Sequence, residues 1–483
     1  MSEENLKQKT AKGLAWTSIG TISNRLITFC TGIVLARILS PSDYGITALI
    51  TVFVVVLGIF TDGGLSTALI RKENRTESDI ATVFWYNLVA CCIAYLLIFS
   101  FAPYLADFYE IPILCDIARV STLSLLISPF SSIQSTMLSI RMDFKTSALI
   151  GITCNLIAGI IAIIMAYNGF GVWSLAYQGL IGTFCSAILM NIALRWRPKF
   201  KFSKESFREL FGFSSKMIVS LLIWRVYENV SSLIIGKCYS THQLGVYNRA
   251  LGWAQLPSTT FVQTIHSVSF PALSKLQNDI QRLRSAYRKM IRLTAFISFP
   301  MLLGLASVAA PLTIFVLTEK WAESIPLLQI LCFSFILHPI NTINESLLLC
   351  LGRSDIYLRY GIYTIGINVI CMCITIPFGL NIFCFGILIG TIAGFLIKVP
   401  VTNRLIALGF KDQISDILPI FINCCIMYFL CTLSQMFFID NIHKLIMAIS
   451  VGAIYYIATG LLFFKEDANE VLSILHLKRG NSR

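Results

Sequence analysis

The chain has 483 residues, of which 56% are hydrophobic and only 13% charged, with a mean hydropathy of +0.75 and a formal net charge of +13. Soluble domains carry about 25% charged residues, so this composition excludes a water-soluble globular protein and predicts an all-α polytopic membrane protein. The positive balance bears first on membrane sidedness rather than on nucleic acid, because Lys and Arg concentrate in loops retained in the cytoplasm.

Residues 1–13 are hydrophilic, and the apolar stretch after them lacks a small-residue cleavage pattern, so no removable signal peptide is expected. Apolar windows of about 20 residues then recur to the far end. They predict helices over 14–36, 43–63, 80–101, 113–138, 147–167, 172–194 and 214–236. A second set is predicted over 245–273, 290–317, 324–348, 357–378, 380–405, 414–436 and 442–464, making about 14 transmembrane helices in all. With both termini cytoplasmic, twenty-eight of the 38 Lys and Arg fall on the cytoplasmic side, five opposite and five within helices. Adding or removing one helix would scramble that asymmetry. The outer loops, such as 168–171 and 440–444, are too short to hold an extracytoplasmic catalytic domain. A transporter rather than an enzyme is expected, with its function inside the helix bundle.

The 15 cysteines lie mostly within apolar stretches, where a thiol behaves as a small hydrophobe. No disulfide framework is expected. His242, His266, His338, His443 and His476 are far apart and build no metal-ligand spacing, so no metal and no cofactor are expected beyond a coupling cation, Na+ or H+.

The most basic connection, RWRPKFKFSKESFREL from Arg195, divides the chain. The expected organisation is a six-helix lobe over 1–194, a basic cytoplasmic linker over 195–213 and a second six-helix lobe over 214–405. Helices 13 and 14 follow over 406–464, with a cytoplasmic tail over 465–483. Residues 25–46 match residues 225–246 at a constant offset of two hundred, with Arg25 on Arg225, Ser40 on Ser240 and Gly45 on Gly245. ALIRKEN at Ala68 is likewise similar to ALSKLQN at Ala272. Because six helices is an even number, such repeats would be parallel, with a substrate site between them.

Arg25 and Arg225 fall at the centres of the first and seventh predicted helices. A centred Arg costs about 2.5 to 3.5 kcal/mol on insertion scales, so it normally faces protein or a water-filled cavity. Two at equivalent positions suggest a shared, central, positive chamber, and a guanidinium fork suits phosphate oxygens. Glu228, three residues after Arg225, competes by offering internal neutralisation. Arg249 either extends the positive track or snorkels to the interface. Asp62, Glu228 and Glu345 are candidate carboxylates for ion coupling, with helix capping and ion pairing the alternatives; Lys398 is a further intramembrane charge. Segment 274–292 alternates charge at helical spacing and is expected to lie along the headgroups as an amphipathic extension.

KGLAWTSIG, ARILSPSDYG and TDGGLSTALIRK, followed by LGVYNRA and FPALSKLQND, resemble the Wzx-like lipopolysaccharide and O-antigen flippases. These belong to the multidrug, oligosaccharidyl-lipid and polysaccharide exporter superfamily, and the resemblance covers nearly the whole chain. It implies two six-helix lobes around a central cavity, plus two C-terminal helices. The implied substrate is a polyprenyl-diphosphate-linked oligosaccharide, flipped by alternating access from the cytoplasmic to the outer leaflet for surface polysaccharide biosynthesis. The bacterial cytoplasmic (inner) membrane is the implied location, with membrane lipids and other polysaccharide assembly proteins as partners and no nucleic acid. Cavity arginines of the family fall near Arg25 and Arg225. A cation-coupled multidrug or small-molecule antiporter of the same superfamily is the alternative, and its cationic cargo would favour an acidic rather than an arginine-lined cavity.

Overall fold

The computed structural model describes residues 3–62 and 64–480, and the chain separates into two compact units, Met1–Gly245 and Val246–Arg483. Every long regular element among the described residues is a helix. In a bilayer this follows from backbone chemistry, since a helix satisfies its own N–H and C=O groups where no water is available.

The first unit begins with α1 (Glu3–Ile38), α2 (Pro41–Asp62), α3 (Leu65–Arg71) and α4 (Glu77–Tyr109). Thr76 and Asp79 form a reciprocal capping box that starts α4. Next come α5 (Ile113–Ser121), α6 (Leu123–Ile127) and α7 (Pro129–Ile140). The sequence predicts one helix across these three. The chain instead bends by 40° ahead of α7, where Pro129 supplies no N–H to continue the ladder. The unit closes with α8 (Phe144–Tyr167), α9 (Val172–Leu194) and α10 (Lys204–Cys238).

Helix α11 (Thr241–Ser274) starts in the first unit and continues as the first helix of the second, followed there by α12 (Ile280–Ser307), α13 (Ala309–Leu317), α14 (Ser324–Phe335) and α15 (His338–Cys350). After these come α16 (Ser354–Thr375), α17 (Leu380–Ile406), α18 (Phe410–Ser434), α19 (Asn441–Phe463) and α20 (Lys465–Gly480). Among the described residues 12 helical stretches are long and apolar enough to span a membrane, and the bent α5–α7 region makes 13. The remaining predicted span corresponds to α11, whose interior carries Pro257 and Pro271.

Segment 274–292 differs from its expectation. Residues from Ile280 onward belong to the long helix α12, and Leu283, Tyr287 and Ile291 are at most 1% exposed in the core of the second unit. Its apolar face is thus taken by protein rather than by lipid headgroups. The basic face meets carboxylates. Arg288 makes two bonds of 2.7 Å to Asp416 on α18, Arg284 lies 3.2 Å from Asp412, and Arg292 and Lys289 reach Asp467 and Glu470 on α20 at 2.8 and 2.6 Å. The expected tail is therefore a helix docked on α12 by charge.

The internal repeat has a structural counterpart. α1 and α10 end at Ile38 and Cys238, and the next helices begin at Pro41 and Thr241, preserving the offset of two hundred. Both starts are capped reciprocally. Ser40 N–H donates to Asp43 and Asp43 N–H to the Ser40 hydroxyl; Ser240 and Gln243 do the same. Where these two helix starts cross, a Cβ on Gly45 would stand 1.9 Å from the Thr241 carbonyl oxygen, and one on Gly245 would stand 1.8 Å from that of Pro41. Residues 41 and 45 thus meet 241 and 245 reciprocally, as a pseudo-twofold contact requires.

Neither glycine tolerates a side chain without backbone movement, an overpacking that costs about 1 to 3 kcal/mol. Gly45→Ala and Gly245→Ala are each expected to lower the melting temperature of the purified protein by several degrees. Gly58→Ala, whose Cβ meets nothing within 4 Å, should leave it unchanged. Differential scanning fluorimetry in detergent is the check.

Candidate functional site

Arg25 and Arg225 both belong to the first unit. Each lies about 20 Å before the end of its helix, counting the rise from Arg25 to Ile38 and from Arg225 to Cys238. Their depths therefore match across the repeat. Their neighbours differ: α1 packs along α8, whereas α10 packs along α2, α3 and α4.

Arg25 is half-buried beside Asn24, whose amide oxygen accepts a 2.6 Å bond from Asn155 on α8. This hydrogen bond between two amides ties α1 to α8. Arg225 donates through Nη1 to Glu228 at 2.8 Å, with side-chain exposures of 50% and 41%. Asn229, on the same helix face, donates to the Arg225 carbonyl at 2.8 Å. The ion pair therefore forms, but it is open on one side and engages only one corner of the guanidinium among the described residues. A half-exposed charge at the centre of an apolar helix costs several kcal/mol if lipid covers it.

Arg249 belongs to the second unit. Its guanidinium stacks over the ring of the fully buried Trp321 at 5.1 Å, within the second unit. A planar cation on an aromatic face is held by electrostatics and dispersion together.

The three carboxylates also separate. The Asp62 side chain lies outside the described residues. Glu228 is the partner of Arg225, and Glu345 on α15 pairs at 3.2 Å with Lys398 on α17, which is only 8% exposed. Both described carboxylates are thus engaged in ion pairs. His338 packs edge-on to Phe335 and meets the Ser258 hydroxyl at 3.3 Å, while the His266 side chain is outside the described residues.

Sequence reasoning passed over the buried amides. Gln134 donates to Asn191 at 2.6 Å between α7 and α9, and the Tyr287 hydroxyl donates to Asn344 between α12 and α15. Their signal was present, since Asn and Gln in otherwise apolar runs require partners.

Residues 34–326 match the family described as "Polysaccharide biosynthesis protein". The chain belongs to this family. Curated relatives include the teichuronic acid biosynthesis protein TuaB of Bacillus subtilis (strain 168), 26% identical over 73% of each chain. The lipopolysaccharide biosynthesis protein WzxC of Escherichia coli (strain K12) is 25% identical over 74% of this chain and 73% of its own. Among solved structures, the lipid II flippase MurJ in an inward closed conformation superposes with a TM-score of 0.76 at 17% identity, covering 93% of this chain and 99% of that one. That likeness establishes the fold of this family member.

Removing one partner of a buried ion pair leaves an uncompensated charge, whereas replacing both by apolar groups is often neutral. Glu345→Met and Lys398→Met alone are expected to reduce folded yield and thermal stability. The double variant should recover most of both, as read by size-exclusion chromatography and melting temperature.

Proposed function

We propose that this family member is a flippase that carries a polyprenyl-diphosphate-linked oligosaccharide from the cytoplasmic to the outer leaflet of a bacterial cytoplasmic membrane, by alternating access and with both termini cytoplasmic. The observation that carries this reading is the pair Arg25 and Arg225, two fixed cations at equal helix depth in equivalent repeat positions.

The chemistry is that of an anionic headgroup crossing hydrocarbon. A diphosphate is too costly to move through lipid without compensating charge, and a guanidinium offers paired donors to its oxygens. Glu228 holds Arg225 through one corner, so the carboxylate fixes the guanidinium's orientation and leaves other donors to a ligand. The isoprenoid needs no enclosed site, since the surrounding lipid solvates it. Membership of the polysaccharide biosynthesis family and the MurJ fold support the same cargo class, a sugar on a lipid carrier. The cation-exporting alternative is disfavoured by the sign of these two residues.

Arg25→Ala and Arg225→Ala are each expected to reduce translocated lipid-linked glycan at least about tenfold, the loss of some 1.4 kcal/mol of preferential binding. Lysine at either position should retain part of the activity, because charge remains while the fork is lost. Arg225→Ala/Glu228→Gln separates loss of the cation from the effect of a stranded carboxylate. The assay is the surface-accessible glycan formed in a strain lacking the chromosomal copy. Wild-type transport by Arg25→Ala/Arg225→Ala would overturn the reading.

A further inference from the structure

The connection between α9 and α10 is a pinned strap rather than a loose loop. The chain leaves α9 through Arg195 in the left-handed region at φ 49° and runs irregularly to Ser203, which caps α10. Two bonds fasten its backbone to the first turns of α4. The Trp85 indole N–H donates to the Lys199 carbonyl at 2.9 Å, and the Ser203 N–H donates to the Thr82 hydroxyl at 3.0 Å. The Lys199 ammonium pairs with Glu77, and the Phe84 and Trp196 rings meet edge to face at 5.8 Å.

Along this strap cations and aromatics alternate: Arg197, Lys199 and Lys201 are interleaved with Trp196, Phe200 and Phe202. Trp196 packs inward against the core of the first unit. Phe200 touches Trp85 at a centroid distance of 4.9 Å yet is 90% exposed, and Phe202 is 53% exposed. Arg197 and Lys201 are exposed and form no ion pair among the described residues. The strap starts directly after the membrane-spanning stretch Val172–Leu194, whose Ile192 is 64% exposed, so it sits where hydrocarbon gives way to headgroups.

Beyond its contact with Trp85 the Phe200 ring is open, and Phe202, which meets the Phe207 ring at 5.8 Å, is half open, so the apolar phase that can cover their free surface at that level is the acyl chains of the adjacent leaflet. Cations flanking them meet lipid phosphates. Apolar insertion plus basic charge is the combination that gives stable interfacial attachment, since each alone is weak. We infer that the strap 195–203 is a seat for anionic phospholipid, with Phe200 and Phe202 among the acyl chains and Arg197 and Lys201 on the headgroups. Pinning to α4 makes the seat part of the first unit's rigid frame, so lipid composition acts directly on α4 and α10.

The test is native mass spectrometry of the purified full-length protein titrated with phosphatidylglycerol or phosphatidylcholine. The wild type should retain phosphatidylglycerol preferentially. Arg197→Gln/Lys201→Gln should cut the retained number to about half or less, and Phe200→Ser/Phe202→Ser should weaken retention of both lipids. Arg359→Gln/Lys411→Gln, exposed cations of the second unit, should bind as the wild type does. An unchanged melting temperature in each variant separates lost binding from lost folding. Equal retention of the two lipids by the wild type, wild-type retention by the strap variants, or displacement of phosphatidylglycerol by excess inorganic phosphate would each overturn the inference.

Discussion

The cost of placing an unsatisfied charge or backbone dipole in hydrocarbon orders this structure. It favours helices, which close their backbone hydrogen bonds within one segment, and it requires that each intramembrane polar side chain find a partner or water. Asn24 meets Asn155, Gln134 meets Asn191 and Lys398 meets Glu345. These pairs are positions where the rule is satisfied by a protein partner. Arg225 satisfies it only in part among the described residues, being paired with Glu228 at one corner and half-exposed.

The second unit shows the same rule with the opposite outcome. On α12, Arg284, Arg288, Lys289 and Arg292 are matched by Asp412, Asp416, Glu470 and Asp467, so a strongly basic helix face is neutralised by α18 and α20. This set fastens a terminal helix to its unit. Arg288 is held by two bonds to Asp416, whereas Arg225 engages Glu228 through one corner of its guanidinium.

The repeat gives the arginines their shared depth. Identical helix ends, reciprocal caps at Ser40 and Ser240, and the close crossing of Gly45 with Gly245 fix the two helix-turn-helix corners to one another. Arg25 and Arg225 inherit equal distances from those corners. The glycines are needed because carbonyl oxygens occupy the space that a Cβ would take.

Hydrophobic periodicity determined the helical class and the approximate boundaries of most spans, and residue matches at a constant offset revealed the duplicated segment, since each depends on composition and spacing along the chain. The two arginines were legible for the same reason: a charge within an apolar run stands out in one dimension. Tertiary structure decided what one dimension does not encode. It placed Ile280–Ser307 in a protein core rather than along headgroups, because the carboxylates matching its basic face lie more than a hundred residues away. It gave Lys398 to Glu345 and laid Arg249 over Trp321, contacts set by helix packing. It also turned an ordinary-looking basic connection into a fixed strap, because the Trp85 and Thr82 bonds that hold it come from a helix far earlier in the chain.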